Sequence, residues 1–92
     1  MTKTIRIHVY GQVWKRGFRF YSMQKAVEYG IRGNVSYGKT HHEIIIHAEG
    51  EEQDIEKFLQ WCSYGSPSCR VLKIETAQVN FMDFKTYDII EN

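Results

Sequence analysis

Apolar and polar residues alternate near the start of the chain. Ile5, Ile7 and Val9 interleave with Arg6, His8 and Tyr10. A period of two carried by β-branched residues predicts a strand with one buried face, ended at or near Gly11. From Phe18 the period lengthens. Phe18, Tyr21 or Ser22, Ala26 and Tyr29 recur at helical spacing, and Gly30 is placed to close the helix. Ile31 to Tyr37 predicts a second strand, Gly38 to His42 a turn, and Glu43 to Glu49 a third strand that completes a hairpin and stops at Gly50. Ile55, Phe58, Leu59 and Cys62 then stand at i, i+3, i+4 and i+7, with Glu51, Glu52, Asp54, Glu56 and Lys57 on the other side. That is an amphipathic helix with acids at its positive end. Ser63 to Ser68, which holds the single proline Pro67, predicts a loop. A fourth strand follows from Arg70 to about Asn80, and a last one from about Phe84 to Ile90.

The order is β-α-β-β-α-β with one added strand. Two helices with apolar stripes must cover one face of the sheet. The expected class is therefore α+β: a ferredoxin-like βαββαβ sandwich, an antiparallel sheet with two helices on one face and an extra C-terminal strand. At 92 residues the chain is expected to form a single domain, 1–92. This architecture hosts many functions, so chemistry must be argued from side chains.

Composition narrows the choice. A net charge of +1 argues against a protein that coats polyanions, so any anion preference must be local. No apolar run reaches signal-peptide or membrane-spanning length, which leads to the expectation of a cytoplasmic protein without a membrane partner. Cys62 falls on the core stripe, where a thiol is a small inert apolar group; a bridge to Cys69 is the alternative. His41 and His42 share a turn, while His8 and His47 are expected on the uncovered sheet face. With no Cys or Asp at ligand spacing, no metal is expected. The basic-then-aromatic strand signature of RNA-binding sheets is missing: Arg16-Gly17-Phe18-Arg19-Phe20 lies at a loop-to-helix junction. Phe81, Phe84 and Tyr87 are expected to pack on the sheet, and no nucleic-acid partner is expected.

The segment GQVWKRGFRFY, Gly11 to Tyr21, carries the candidate chemistry. It joins a strand to a helix and holds Lys15, Arg16 and Arg19. Backbone N–H groups at a helix N-terminus are unpaired and favour an anion, and Gly17 permits close backbone approach. Arg19 offers a two-pronged fork to phosphate oxygens. On these grounds the loop is either a phosphate cradle or a solvated basic turn.

The same residues resemble the acylphosphatases, whose first strand is followed by a pattern close to G-x-V-x-G-V-x-F-R. Here that stretch is Gly11, Gln12, Val13, Trp14, Lys15, Arg16, Gly17, Phe18, Arg19. Ala26, Gly30-Ile31-Arg32-Gly33, Phe58 with Trp61, and Gly65-Ser66-Pro67-Ser68 before Arg70-Val71 continue the likeness in order over about residues 5–90. The resemblance implies hydrolysis of carboxyl phosphates by a monomer that uses no metal or other cofactor. It assigns phosphate binding to Lys15, Arg16, Gly17, Phe18 and Arg19, with Arg19 also catalytic. The partner it implies is a small acyl phosphate or phosphate anion.

Three features depart from the pattern. The asparagine that orients water in the family falls on Tyr37, whose phenol oxygen is several Å farther from its backbone. Asn34, three residues earlier on the same strand, points to the opposite face. Lys15 replaces a glycine; if that position has positive φ, the strain is about 1 kcal/mol. The turn between strands two and three is one residue longer. Two functional readings follow: an acylphosphatase with an altered water site, or a non-catalytic relative that binds phosphate or another anion.

Overall fold

The computed structural model describes residues 1–91; Asn92, the last residue of the expected domain, lies outside them. The elements are β1 (Thr2–Gln12), α1 (Phe18–Tyr29), β2 (Arg32–Tyr37), β3 (Glu43–Glu51), α2 (Glu52–Tyr64), β4 (Arg70–Val79) and β5 (Tyr87–Ile89). The strands form one sheet in the order β4-β1-β3-β2-β5. The first four pair antiparallel as expected, and β5 joins the β2 edge in parallel, so the complete sheet is mixed.

Parity along the strands sorts the two faces. Ile5, Ile7 and Val9 of β1, Val35 of β2, and Ile44, Ile46 and Ala48 of β3 are buried against the helices. α1 contributes Phe18, Ser22 and Ala26, and α2 contributes Ile55, Phe58 and Cys62. Ser22, not the half-exposed Tyr21, occupies the stripe position; its hydroxyl is satisfied there by Tyr87. Both cysteines are free. Burial pushes the Cys62 thiol well above its ordinary pKa, which fits an inert core residue. Gly30 adopts the left-handed conformation and closes α1.

β1 ends at Gln12, beside Gly11 as expected, and absorbs a register shift between Tyr10 and Gly11. Two boundaries differ from expectation. β3 runs through Gly50 to Glu51, and α2 begins at the next residue. Gly50 is there for contact: a Cβ on it would lie 3.0 Å from the Ile31 side chain. The last strand is only Tyr87–Ile89, and Phe81 is exposed instead of packed on the sheet.

The short last strand has a topological cause. β4 and β5 lie on opposite edges, so residues 80–86 must cross about 19 Å of sheet at roughly 4.8 Å per strand. The helices occupy one face, and the connection takes the other. It passes over Thr4 and Glu49, which pair across β1 and β3. Glu49 is fully buried there. Its Oε1 accepts the Phe84 N–H (2.7 Å), and its Oε2 accepts those of Met82 (2.8 Å) and Asp83 (3.1 Å) together with the Thr4 hydroxyl. A buried carboxylate with four donors is a pin, and it fixes the segment that leads into β5.

Candidate active site

The turn between β1 and α1 folds around two residues with positive φ, Lys15 (52°) and Gly17 (81°). Lys15 therefore occupies the left-handed region at the position where the sequence pattern has glycine, with the strain that this implies. Gly17 is the N-cap of α1 and supplies no capping side chain. The first paired amide of the helix is Tyr21's, which donates to the Gly17 carbonyl at 2.9 Å. The N–H groups before it have no helical carbonyl to bond. The two helices differ here. α2 carries Glu52 and Asp54 in its first turn, whereas α1 carries no acid in its own. The positive end of α1 therefore has no carboxylate from its own first turn beside it.

Lys15, Gly17, Phe18, Arg19 and Tyr37 line one cleft of about 160 Å³, together with Phe20, Ile89 and Glu91. The Lys15 N–H donates to the Tyr37 hydroxyl at 3.0 Å. The Tyr37 ring takes the Arg19 guanidinium carbon at 4.2 Å from its centroid, a cation–π contact, and meets the Trp14 ring at 4.7 Å. Trp14 in turn stacks on His41 at 3.5 Å. Tyr37 thus reaches the loop with its oxygen and steadies Arg19 with its ring. Asn34 is turned away: its Oδ1 lies 3.2 Å from His47 Nδ1 on the opposite face of β2, as parity requires.

Arg16 does not line this cleft. Its guanidinium donates to the Ser68 carbonyl at 3.1 Å and borders a separate hollow with Gln12, Trp14 and His42. Its backbone is nonetheless part of the turn. The Arg16 carbonyl accepts the Ser66 hydroxyl (2.7 Å) and the Ser68 hydroxyl (2.9 Å). The Gly65–Ser68 segment is therefore the clamp that sets the loop. Ser66 is buried at that contact.

A second clamp comes from β5. The buried Tyr87 hydroxyl donates to Ser22 Oγ (3.0 Å), and Ser22 donates to the Arg19 carbonyl (2.7 Å). The strand pinned by Glu49 thereby ties down the turn of α1 that carries Arg19. Sequence reasoning missed the clamp roles of Ser22, Ser66 and Tyr87, and the cleft walls Phe20, Ile89 and Glu91. Ser22 left one signal, a hydroxyl on an apolar stripe, which demands a buried partner. Among the described residues, no three His, Cys, Asp or Glu side chains converge as a metal would need, and no helix is long and apolar enough to cross a membrane.

Fold and cleft together define a two-helix, mixed-sheet sandwich with an open helix N-terminus beside an arginine. The acylphosphatase family profile matches residues 5–89. An acylphosphatase of Mannheimia succiniciproducens is 40% identical over 67 residues, covering 73% of each chain. One of Archaeoglobus fulgidus is 30% identical over 88 residues, covering 92% of this chain and 94% of the relative. The crystal structure of acylphosphatase from Bacillus subtilis superposes with a TM-score of 0.90 at 26% identity, covering 99% of this chain and all of the other. The chain belongs to the acylphosphatase family, and its domain is acylphosphatase-like.

Proposed function

We propose that this domain hydrolyses carboxyl phosphates to a carboxylate and phosphate, without a metal, and that the cleft at the start of α1 is where it does so. The reading is carried by one arrangement: Arg19 and the unpaired N–H groups of the loop face a common space that Tyr37 borders. The phosphoryl group sits against the N–H groups around Arg16, Gly17 and Phe18 and takes the Arg19 fork. Both meet charge that spreads over the equatorial oxygens in the transition state. Water attacks phosphorus, the bond from phosphorus to the acyl oxygen breaks, and the carboxylate leaves with the electron pair. The protons of water pass to phosphate and solvent. Tyr37 accepts the Lys15 N–H through its hydroxyl, which sets that oxygen beside the loop amides assigned to the phosphoryl group.

That same hydrogen bond favours a second reading, because it occupies one loop amide that would otherwise face phosphate. On that reading the domain binds phosphate or another anion and does not turn over. Hydrolysis of benzoyl phosphate by wild type, Arg19→Ala and Tyr37→Asn separates the two. The hydrolase reading expects wild-type turnover, competitive inhibition by phosphate, and a loss of about 10²-fold or more in Arg19→Ala. An inert wild type that binds phosphate, with activity gained in Tyr37→Asn, supports the binding reading. Three inert proteins that bind no phosphate end both. The proposal takes the domain to act as a monomer in the cytoplasm; light scattering after gel filtration tests the first point.

A further inference from the structure

Two chemistries line the cleft. Lys15 and Arg19 bring cations, with Gly17 between them and the Tyr37 hydroxyl on the Lys15 N–H. Phe20 and Ile89 bring apolar surface, and Glu91 a carboxylate. Phe20 stands on the first turn of α1, one residue beyond Arg19, and is 58% exposed. Its ring gives the cleft an apolar wall that a ligand can cover. Ile89 lines the same cleft and is held firmly, since it belongs to β5 and packs on the core. Glu91 follows, with its Oε2 3.7 Å from Arg19 Nη1. That distance exceeds a good charge-assisted hydrogen bond, which is about 2.7–2.9 Å. Glu91 is therefore a charged neighbour of Arg19 and leaves the guanidinium fork open to a phosphoryl group.

We propose that Phe20, Ile89 and Glu91 select the acyl group: they favour acyl phosphates with an uncharged, apolar acyl part, aryl above all, and disfavour those with a second carboxylate. The inference rests on the hydrolytic reading above. With the phosphoryl group on Arg19, the acyl part is left to Phe20 and Ile89, where an aromatic or branched group removes apolar surface from water. A further carboxylate on that group is repelled by Glu91 and gains nothing from the two apolar walls. Phe20 and Glu91 are thus specificity-determining residues. Both are exposed, so substitution leaves the core intact.

The test measures kcat/KM for benzoyl, acetyl and succinyl phosphate with wild type, Phe20→Ala and Glu91→Gln. Wild type is expected to prefer benzoyl over acetyl over succinyl phosphate. Phe20→Ala lowers the benzoyl-to-acetyl ratio about tenfold, in the range of a lost pocket contact. Glu91→Gln raises the succinyl-to-acetyl ratio about fivefold, and the gain fades as salt screens the charge. Turnover of acetyl phosphate with neither ratio moved overturns the selection and leaves the hydrolytic reading standing. An equal rise on all three substrates in Glu91→Gln also overturns it, because Glu91 would then merely obstruct Arg19. No turnover of any substrate by wild type overturns the inference and the hydrolytic reading together.

Discussion

Glu49→Gln is the substitution whose consequence the structure fixes most closely. The carboxylate uses both oxygens: Oε1 takes the Phe84 N–H, and Oε2 takes Met82, Asp83 and Thr4. An amide has one acceptor oxygen. With that oxygen where Oε2 was, the NH₂ group faces the Phe84 N–H, and a buried donor is stranded at a cost of about 1–3 kcal/mol. The remaining bonds lose the charge that roughly doubles their strength. Together these give a loss of about 3 kcal/mol, or a fall of roughly 10–20 °C in Tm for a domain of this size. The pH dependence follows. Burial opposes ionisation of Glu49, but the Thr4 hydroxyl and the N–H groups of Met82, Phe84 and Asp83 outweigh it and hold the carboxyl below its ordinary value. A depressed folded pKa gives stability that is complete above the unfolded value, about 4.3, and lost as pH falls through the folded one. Urea unfolding of both proteins between pH 7 and pH 3 is the assay. The gap between them should be widest at neutral pH and narrow below about pH 4. Hydrogen exchange at Met82, Asp83 and Phe84 should quicken in the variant. A neutral-pH loss under about 1 kcal/mol, or a gap that ignores pH, refutes the pin.

Tyr37→Phe removes the acceptor from the Lys15 N–H. Stability should fall by less than about 1 kcal/mol, and phosphate should bind a few-fold more tightly in a calorimetric titration; an unchanged Kd would mean that this amide takes no part. Ser66→Ala removes one of two hydroxyls from the Arg16 carbonyl and should cost about 1 kcal/mol in urea unfolding while weakening phosphate binding. Gly33→Ala sets a methyl carbon 1.7 Å from the His47 carbonyl oxygen at φ +146°, against backbone that cannot yield. A loss of about 3 kcal/mol or more is expected, measured as a collapse of the thermal transition.

The parts that periodicity governs were legible. The α2 stripe of Ile55, Phe58 and Cys62 is buried as its spacing requires, and strand parity correctly put Asn34 and Tyr37 on opposite faces. The positive φ of Lys15 was legible too, because a glycine position in a pattern reports backbone shape whatever residue now fills it. Gly50 misled for the converse reason. Glycine is read as a breaker, yet Gly50 continues β3 and makes room for Ile31. Where Arg16 sends its guanidinium was equally closed: a cation in a turn signals charge but not direction, and Ser68 lies fifty-two positions away.

Glu49 marks the deeper limit. On its strand it shares parity with Glu43 and His47, so alternation alone assigns it to solvent. What buries it is a connection whose path depends on strand order, and strand order is a global property of the pairing. Once β5 is placed at the β2 edge, the crossing over the open face is forced, and four donors then have to converge on an acceptor. A carboxylate at the crossing point satisfies them. The same crossing sets the cleft: it delivers Tyr87 to Ser22, and so to the Arg19 carbonyl, and it carries Ile89 and Glu91 to the mouth. On the proposed function, the loop motif specifies the anion-facing backbone locally, whereas the cleft wall of Ile89 and Glu91 is a consequence of topology. For that reason, substitutions that loosen residues 82–84 should disturb discrimination among acyl groups before they disturb the affinity for phosphate itself.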